Sequence, residues 1–261
     1  RELCSFLYFF KALLPSYMKF LFNTFIYDPL YNGLVFLIDI MPGHEVGWAV
    51  VILTLLFKIL LYPLAKKAVL TQKAMAAVEE EVKILREKYK NNKEEQAKKL
   101  MALYKEKGIS PFASFFMLLL QIPIILALYF VFASGLPEIM TERLYSFISA
   151  PESVDMIFLG FFDMASKSWP LALLAGLSQF VHAYISVPHP KKPTGAPSFQ
   201  EDFARSMSIQ VKYVFPIIII FVAHSLAAAV ALYWAAGNLF SIVQEFLIRR
   251  HLPPTPPATR A

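Results

Sequence analysis

Between Gly47 and Leu64 the chain reads GWAVVILTLLFKILLYPL, eighteen residues with a single charge, Lys58, and the basic pair Lys66-Lys67 follows at once. As a helix rising about 1.5 Å per residue, such a run reaches across most of a hydrocarbon core about 30 Å thick. Comparable apolar runs lie at 112–133, 170–187 and 211–248. In a soluble fold they would be hazardous exposed surface. A charged fraction of 17% and a mean hydropathy of +0.52 point the same way. The alternating pattern of a membrane β-barrel is missing. The sequence therefore predicts an all-α, polytopic membrane protein.

Several chemistries drop out. One cysteine, Cys4, excludes a disulfide framework and a cysteine metal site. There is no phosphate-binding glycine loop and no HExxH pair. The histidines at 44, 182, 189, 224 and 251 show no ligand spacing. No catalytic set, metal or cofactor is read, and no enzyme is expected.

Segment by segment, residues 1–24 are an N-terminal stretch of uncertain role. Its apolar piece Leu3–Leu14 is interrupted by Lys11 and lacks a cleavage site, and Met18-Lys19 offers an alternative start. In 25–42, Ile26, Leu30, Leu34, Leu37 and Ile38 recur at helical spacing beside Asp28 and Asp39, which predicts an amphipathic helix in the membrane interface. Residues 43–250 form the core. The first span covers Gly47–Leu64.

Segment 66–107 carries twelve Lys/Arg against seven Glu. Met75, Val78, Val82, Leu85 and Tyr89 form an a/d seam, and Ala97, Leu100, Met101 and Tyr104 a second stripe beyond a turn at 90–92. This predicts a helical hairpin in water, closed by Gly108 and within the limits 66–109. The second span is 112–133. Loop 135–169 has five acidic and two basic residues and holds MIFLGFF, an apolar piece too short to span. Span three is Pro170–Val187, entered at Trp169, where an interfacial aromatic is expected. A Pro-rich loop fills 188–207.

The run 211–248 has room for one long span or two short ones. Lys/Arg-rich loops stay in the cytoplasm, which puts 66–107 and 188–207 inside and 135–169 outside. Two spans, 211–224 with its flank and 226–247, bring Arg249-Arg250 inside as well. The expected topology is five spans, N-terminus out and C-terminus cytoplasmic, with a disordered tail at 251–261.

Lys58 lies about two turns from the cytoplasmic end, roughly 10 Å deep. It either snorkels to the headgroups or faces a wet cavity within the bundle. A charge facing lipid at that depth costs at least about 2.5 kcal/mol. Polar residues occur in the other spans: Gln121, Gln179, His182, Asn238 and Ser241, with Thr54 one turn above Lys58. Singly these are ordinary helix–helix glue. Around a cation they suggest a polar groove. No carboxylate lies in a span, which argues against a proton-relay pump.

GWAVVILTLLFKILLYPLAKKAVLTQKAM, the hairpin ending MALYKEKGISPF, LLLQIPIILALYFVF and ALYWAAGNLFSIVQEFLIRR together resemble the YidC/Oxa/Alb membrane protein insertases, over about 25–250 and in the compact five-span form. The resemblance implies five helices around a groove open to the cytoplasm and to lipid and closed outside. It implies that Lys58, where the family usually has arginine, keeps that groove wet and attracts acidic substrate tails. Arginine would bring five donors and lysine brings three. Gln121 matches a Gln-x-Pro motif. Tyr233, Trp234 and Asn238 match the polar-aromatic stretch of the last span, and Ile125 and Tyr233 are candidate substrate contacts. The implied partners are nascent membrane proteins and the bilayer of a bacterial plasma membrane. The Sec translocon is a candidate partner. Ribosome contact is expected to be weak, because the tail carries one arginine. The competing readings are an assembly subunit without transfer activity and a small transporter.

Overall fold

The computed structural model describes residues 15–110, 113–134, 136–187 and 205–250. It divides into two compact units: Arg1–Ile59 with Gln121–Ile242, and Leu60–Leu120 with Val243–Ala261. The expected tail at 251–261, loop 188–204 and the segment before Pro15 lie outside the described residues.

The first unit begins with α1 (Ser16–Phe22), which runs through a π-helical turn, Asn23–Tyr27, into α2 (Asp28–Ile40). The expected stripe is real: Leu30, Leu34 and Ile38 are fully buried, and Tyr31 and Val35 are buried beside them. Met41 is extended and ends the helix. Polar groups of α2 hold the segment 140–145. Asn32 Nδ2 donates to the Arg143 carbonyl at 2.9 Å, and Asn32 Oδ1 accepts from the Tyr145 N–H at 2.7 Å. The Met140 N–H donates to Tyr31 Oη at 2.7 Å, and Arg143 pairs with Asp28 at 2.9 Å.

The first apolar run forms α3 (Val46–Leu60), which breaks at Leu61. The span expected to reach Leu64 therefore ends four residues early. Proline lacks an N–H and crowds the preceding turn, so Pro63 is tolerated only at the start of a new helix. That helix is α4 (Tyr62–Ala77). The second unit continues with α5 (Glu79–Lys88) and α6 (Lys93–Glu106). Asn92 caps α6 by accepting the Glu95 N–H at 3.1 Å. Val78, Val82, Leu103 and Ile109 make this unit's core, with Met75, Leu85, Leu100 and Tyr104 against it. The first stripe is thus as read at Met75, Val78, Val82 and Leu85, whereas the second arm buries Leu103, which the reading did not include, and leaves Ala97 and Met101 exposed. Lys107 ties the two arms through Glu81 at 2.9 Å.

Helix α7 (Ala113–Ser134) follows. The next loop holds a β-hairpin, β1 (Ile157–Phe158) against β2 (Phe162–Asp163), formed from the piece read as too short to span. It is a small departure from an all-α fold. Helix α8 (Trp169–Ser186) is capped by Ser168, whose Oγ accepts the Leu171 N–H. Helix α9 (Arg205–Ser225) contains a π-helical turn, Gln210–Val214, and packs along α8. Gly176 allows this approach: a Cβ there would lie 2.2 Å from Ile220 Cγ1. The chain turns at Leu226 into α10 (Ala228–Arg250).

The run 211–248 is therefore two helices. The first starts at Arg205, however, and its 21 residues correct the expectation of a short fourth span. Among the described residues, α9 and α10 are long and apolar enough to cross a membrane, and α3 with α4 adds a third if that broken pair is one span.

Candidate functional site

Three of the expected polar residues meet on one side of α10. Tyr233, Gly237 and Ser241 recur every four residues, so they share a face. Thr54 and Lys58 have the same spacing on α3. Lys58 Nζ donates to Ser241 Oγ at 2.9 Å, and Ser241 Oγ donates in turn to the Gly237 carbonyl at 2.8 Å. Thr54 Oγ1 is turned back on the Val50 carbonyl at 2.7 Å and is buried. A Cβ on Gly237 would stand 3.2 Å from Lys58 Cε and 3.6 Å from Thr54 Cγ2. The lysine stem thus lies across the one position on this face with no side chain.

Lys58 carries three donors. Among the described residues one of them meets an acceptor, and no carboxylate pairs with the ammonium. In an apolar bundle this cation is incompletely compensated. Arg249, at the far end of α10, is by contrast paired with buried Glu245.

About two turns before Ser241 on α10, Gln121 Nε2 donates to Tyr233 Oη at 2.8 Å, joining α7 to α10. Asn238 faces another way. Its Nδ2 donates to Ser178 Oγ at 3.2 Å and to the Ala175 carbonyl at 3.4 Å. It locks α10 to α8 rather than joining Lys58. Ile125, Gln179, His182 and Trp234 are half-buried on their helices. The structure therefore gathers Thr54, Lys58 and Ser241, brings Gln121 to Tyr233 about two turns from Ser241, and gives Asn238 a structural bond.

Two participants escaped the sequence reading. Gly237 has a role defined by its neighbours alone. Ser178, next to the expected Gln179, is the residue that meets Asn238. A second buried cation was also given no role. Lys212 sits in the π-helical turn of α9, is 3% exposed, and lies 5.7 Å from the Tyr184 ring centroid.

One end of this unit is closed over by loop 136–168. The Val46 N–H donates to the Asp155 carbonyl at 2.9 Å. The N–H groups of Ala228 and Ala229 donate to the carbonyls of Ser166 and Met164 at 2.7 and 3.1 Å. The starts of α3 and α10 are thus capped by one loop, while Lys58 lies in the last turn of α3.

Apolar helices with polar side chains turned onto one another define a helical membrane protein. A family model described as 60Kd inner membrane protein matches residues 37–255, and the chain belongs to that family. Proteins named membrane protein insertase YidC from Francisella tularensis subsp. novicida (strain U112) and subsp. holarctica (strain LVS) are similar to it. Each is 31% identical over 209 residues, which is 80% of this chain and 33% of the relative. The chain thus spans about a third of the length of these curated relatives.

Proposed function

We propose that this chain is a membrane protein insertase: it passes short polar tails of nascent membrane proteins along a polar path beside Lys58 and releases their helices into lipid. The observation that carries the reading is Lys58 itself, a cation on an apolar helix that meets, among the described residues, one serine acceptor and no carboxylate.

The energetics suit that task. A carboxylate at the bilayer centre costs about 2.5–3.5 kcal/mol on insertion scales. At 4 Å from an ammonium it gains about 1 kcal/mol in bulk water and about 4 kcal/mol near a protein surface. One lysine therefore offsets roughly one carboxylate, and it repels a basic tail by a similar amount. The substrate's apolar helix supplies the driving force by partitioning into lipid. No bond is made or broken, so no nucleophile is needed. The names of the relatives support this reading.

The full topology follows as five crossings by α3, α7, α8, α9 and α10, with the basic segment 66–107 and Arg249-Arg250 in the cytoplasm and loop 136–168 outside. Helix α2 would lie at the outer interface with its stripe turned to the protein and not to lipid. Ile125 and Tyr233 are the proposed substrate contacts. The clients are nascent chains in a bacterial plasma membrane. The Sec translocon is a further proposed partner, and ribosome contact is expected to be weak.

The test uses the purified chain in liposomes with a single-span substrate bearing a short acidic tail, scored by protease protection of that tail. Wild type and Lys58→Arg should insert it, and Lys58→Glu should reduce insertion at least about tenfold. Equal insertion by all three would remove the proposed role of Lys58. A folded wild type without insertion would favour an assembly factor.

A further inference from the structure

Met156–Phe162, MIFLGFF, takes no part in the polar path, yet its form is specific. The seven residues carry no charge. They fold as a tight hairpin in which the Phe161 N–H donates to the Phe158 carbonyl at 3.3 Å across Leu159 and Gly160. Both central residues have positive φ, +55° and +81°. Turns of this hand favour Asn-Gly or Asp-Gly, because a polar side chain tolerates the left-handed region and faces water. Here the first position is leucine. Leu159 is 49% exposed and Phe161 70% exposed. The two nearest acids are at the base of the hairpin and turned to its backbone. Asp155 accepts the Ile157 N–H at 2.8 Å, and Asp163 accepts the Ala165 N–H at 2.9 Å. The element is polar at its base and apolar at its tip.

Its position is fixed by the same contacts. Phe158 packs on the first turn of α3 so closely that a Cβ on Gly47 would lie 2.2 Å from its ring. The tip is one to three residues from Phe158, so it stands at the level where the apolar helix begins. Trp48 meets the Phe158 ring edge-on at 5.3 Å and is itself exposed, as is Trp169 just beyond the same loop. Exposed tryptophans at helix starts mark the headgroup layer.

We propose that the Leu159–Phe161 turn is a lipid anchor, seated in the interfacial layer of the leaflet at this end of the bundle and continuing the apolar belt of α3. The proposal rests on the membrane reading above. It holds whether or not the chain inserts substrates. The anchor would fix the height of the loop that caps α3 and α10.

The test is site-directed spin labelling of the full chain, with Cys4→Ser, in phosphatidylcholine/phosphatidylglycerol liposomes. Labels go on Leu159→Cys and Phe161→Cys. Glu152→Cys, exposed in the same loop, serves as the water reference, and Ile218→Cys, exposed on α9, as the lipid reference. Oxygen accessibility relative to a water-soluble nickel chelate should be severalfold higher at 159 and 161 than at 152, and closer to the value at 218. A ratio at 161 equal to that at 152, with 218 lipid-like, overturns the anchor and leaves the membrane reading intact. Shielding of 161 from both probes means a protein partner and also overturns it. A water-like 218 overturns both readings.

Discussion

Replacing Gly176 by alanine tests how α8 and α9 are held together. The added Cβ would lie 2.2 Å from Ile220 Cγ1, 2.8 Å from its Cδ1 and 3.0 Å from the Pro216 carbonyl oxygen. Carbon atoms rest at about 3.5–4.0 Å, so roughly 1.3 Å must be found. A rotamer change of Ile220 is a poor escape, since a β-branched residue in a helix has one strongly preferred χ1. The Pro216 carbonyl belongs to the backbone and moves only with its helix. The two helices must therefore part, and overpacking of this kind costs about 1–3 kcal/mol. Better helix propensity returns up to about 1 kcal/mol. Between apolar helices in lipid the lost contacts find no hydrophobic replacement. The expected net loss is about 1–2 kcal/mol, read as a lower midpoint when the full chain is titrated with sodium dodecyl sulfate in mixed micelles. Ile220→Ala in the same chain should recover part of the loss, because it removes the two closest atoms and leaves the carbonyl. A Gly176→Ala chain as stable as wild type, or strictly additive effects of the two substitutions, would refute the reasoning.

Two further outcomes are expected. Gly237→Leu should displace the Lys58 stem, which passes 3.2 Å from the site of a Cβ, and so break the bond to Ser241; liposome insertion of an acidic-tailed substrate should fall severalfold, and overpacking at this buried position should lower stability by about 1–3 kcal/mol in a detergent titration. Asp163 accepts from the Ser166 hydroxyl and from backbone N–H groups of Ala165 and Ser166, which holds its carboxyl below the ordinary 3.8 despite opposing partial burial; its stabilisation is present above that value and is lost as pH falls through the lower folded value, so a carboxyl carbon NMR titration should move upward in Ser166→Ala.

The parts legible in the sequence were those signalled by residue type against background. A lone lysine in an apolar run and a serine on a later one do come together as Lys58 and Ser241, with Tyr233 about two turns along the same face. The a/d spacing found Val78 and Val82 because a two-helix core obeys a simple period. Gly237 and Gly176 were not legible, since their contribution is the space they leave for Lys58 and Ile220, and space belongs to the partner helix. The end of α3 was misplaced because hydropathy continues to Leu64 while backbone geometry stops at Leu61. The start of α9 was set at 211 with a flank because the apolar run begins there, whereas the backbone is helical from Arg205 and lays Lys212 against the Tyr184 ring.

The carbonyls of Ser166 and Met164 that receive the first N–H groups of α10 belong to a stretch of chain made earlier, about sixty residues upstream. A helix start without acceptors is costly in a poorly hydrated interface. Ala228 and Ala229 therefore settle at low cost only where the segment 164–166 supplies their acceptors. The seating of the last helix thus depends, through two hydrogen bonds, on a loop far from it in sequence. Shortening the loop would be felt first at the seating of α10, and through α10 at the serine that holds Lys58.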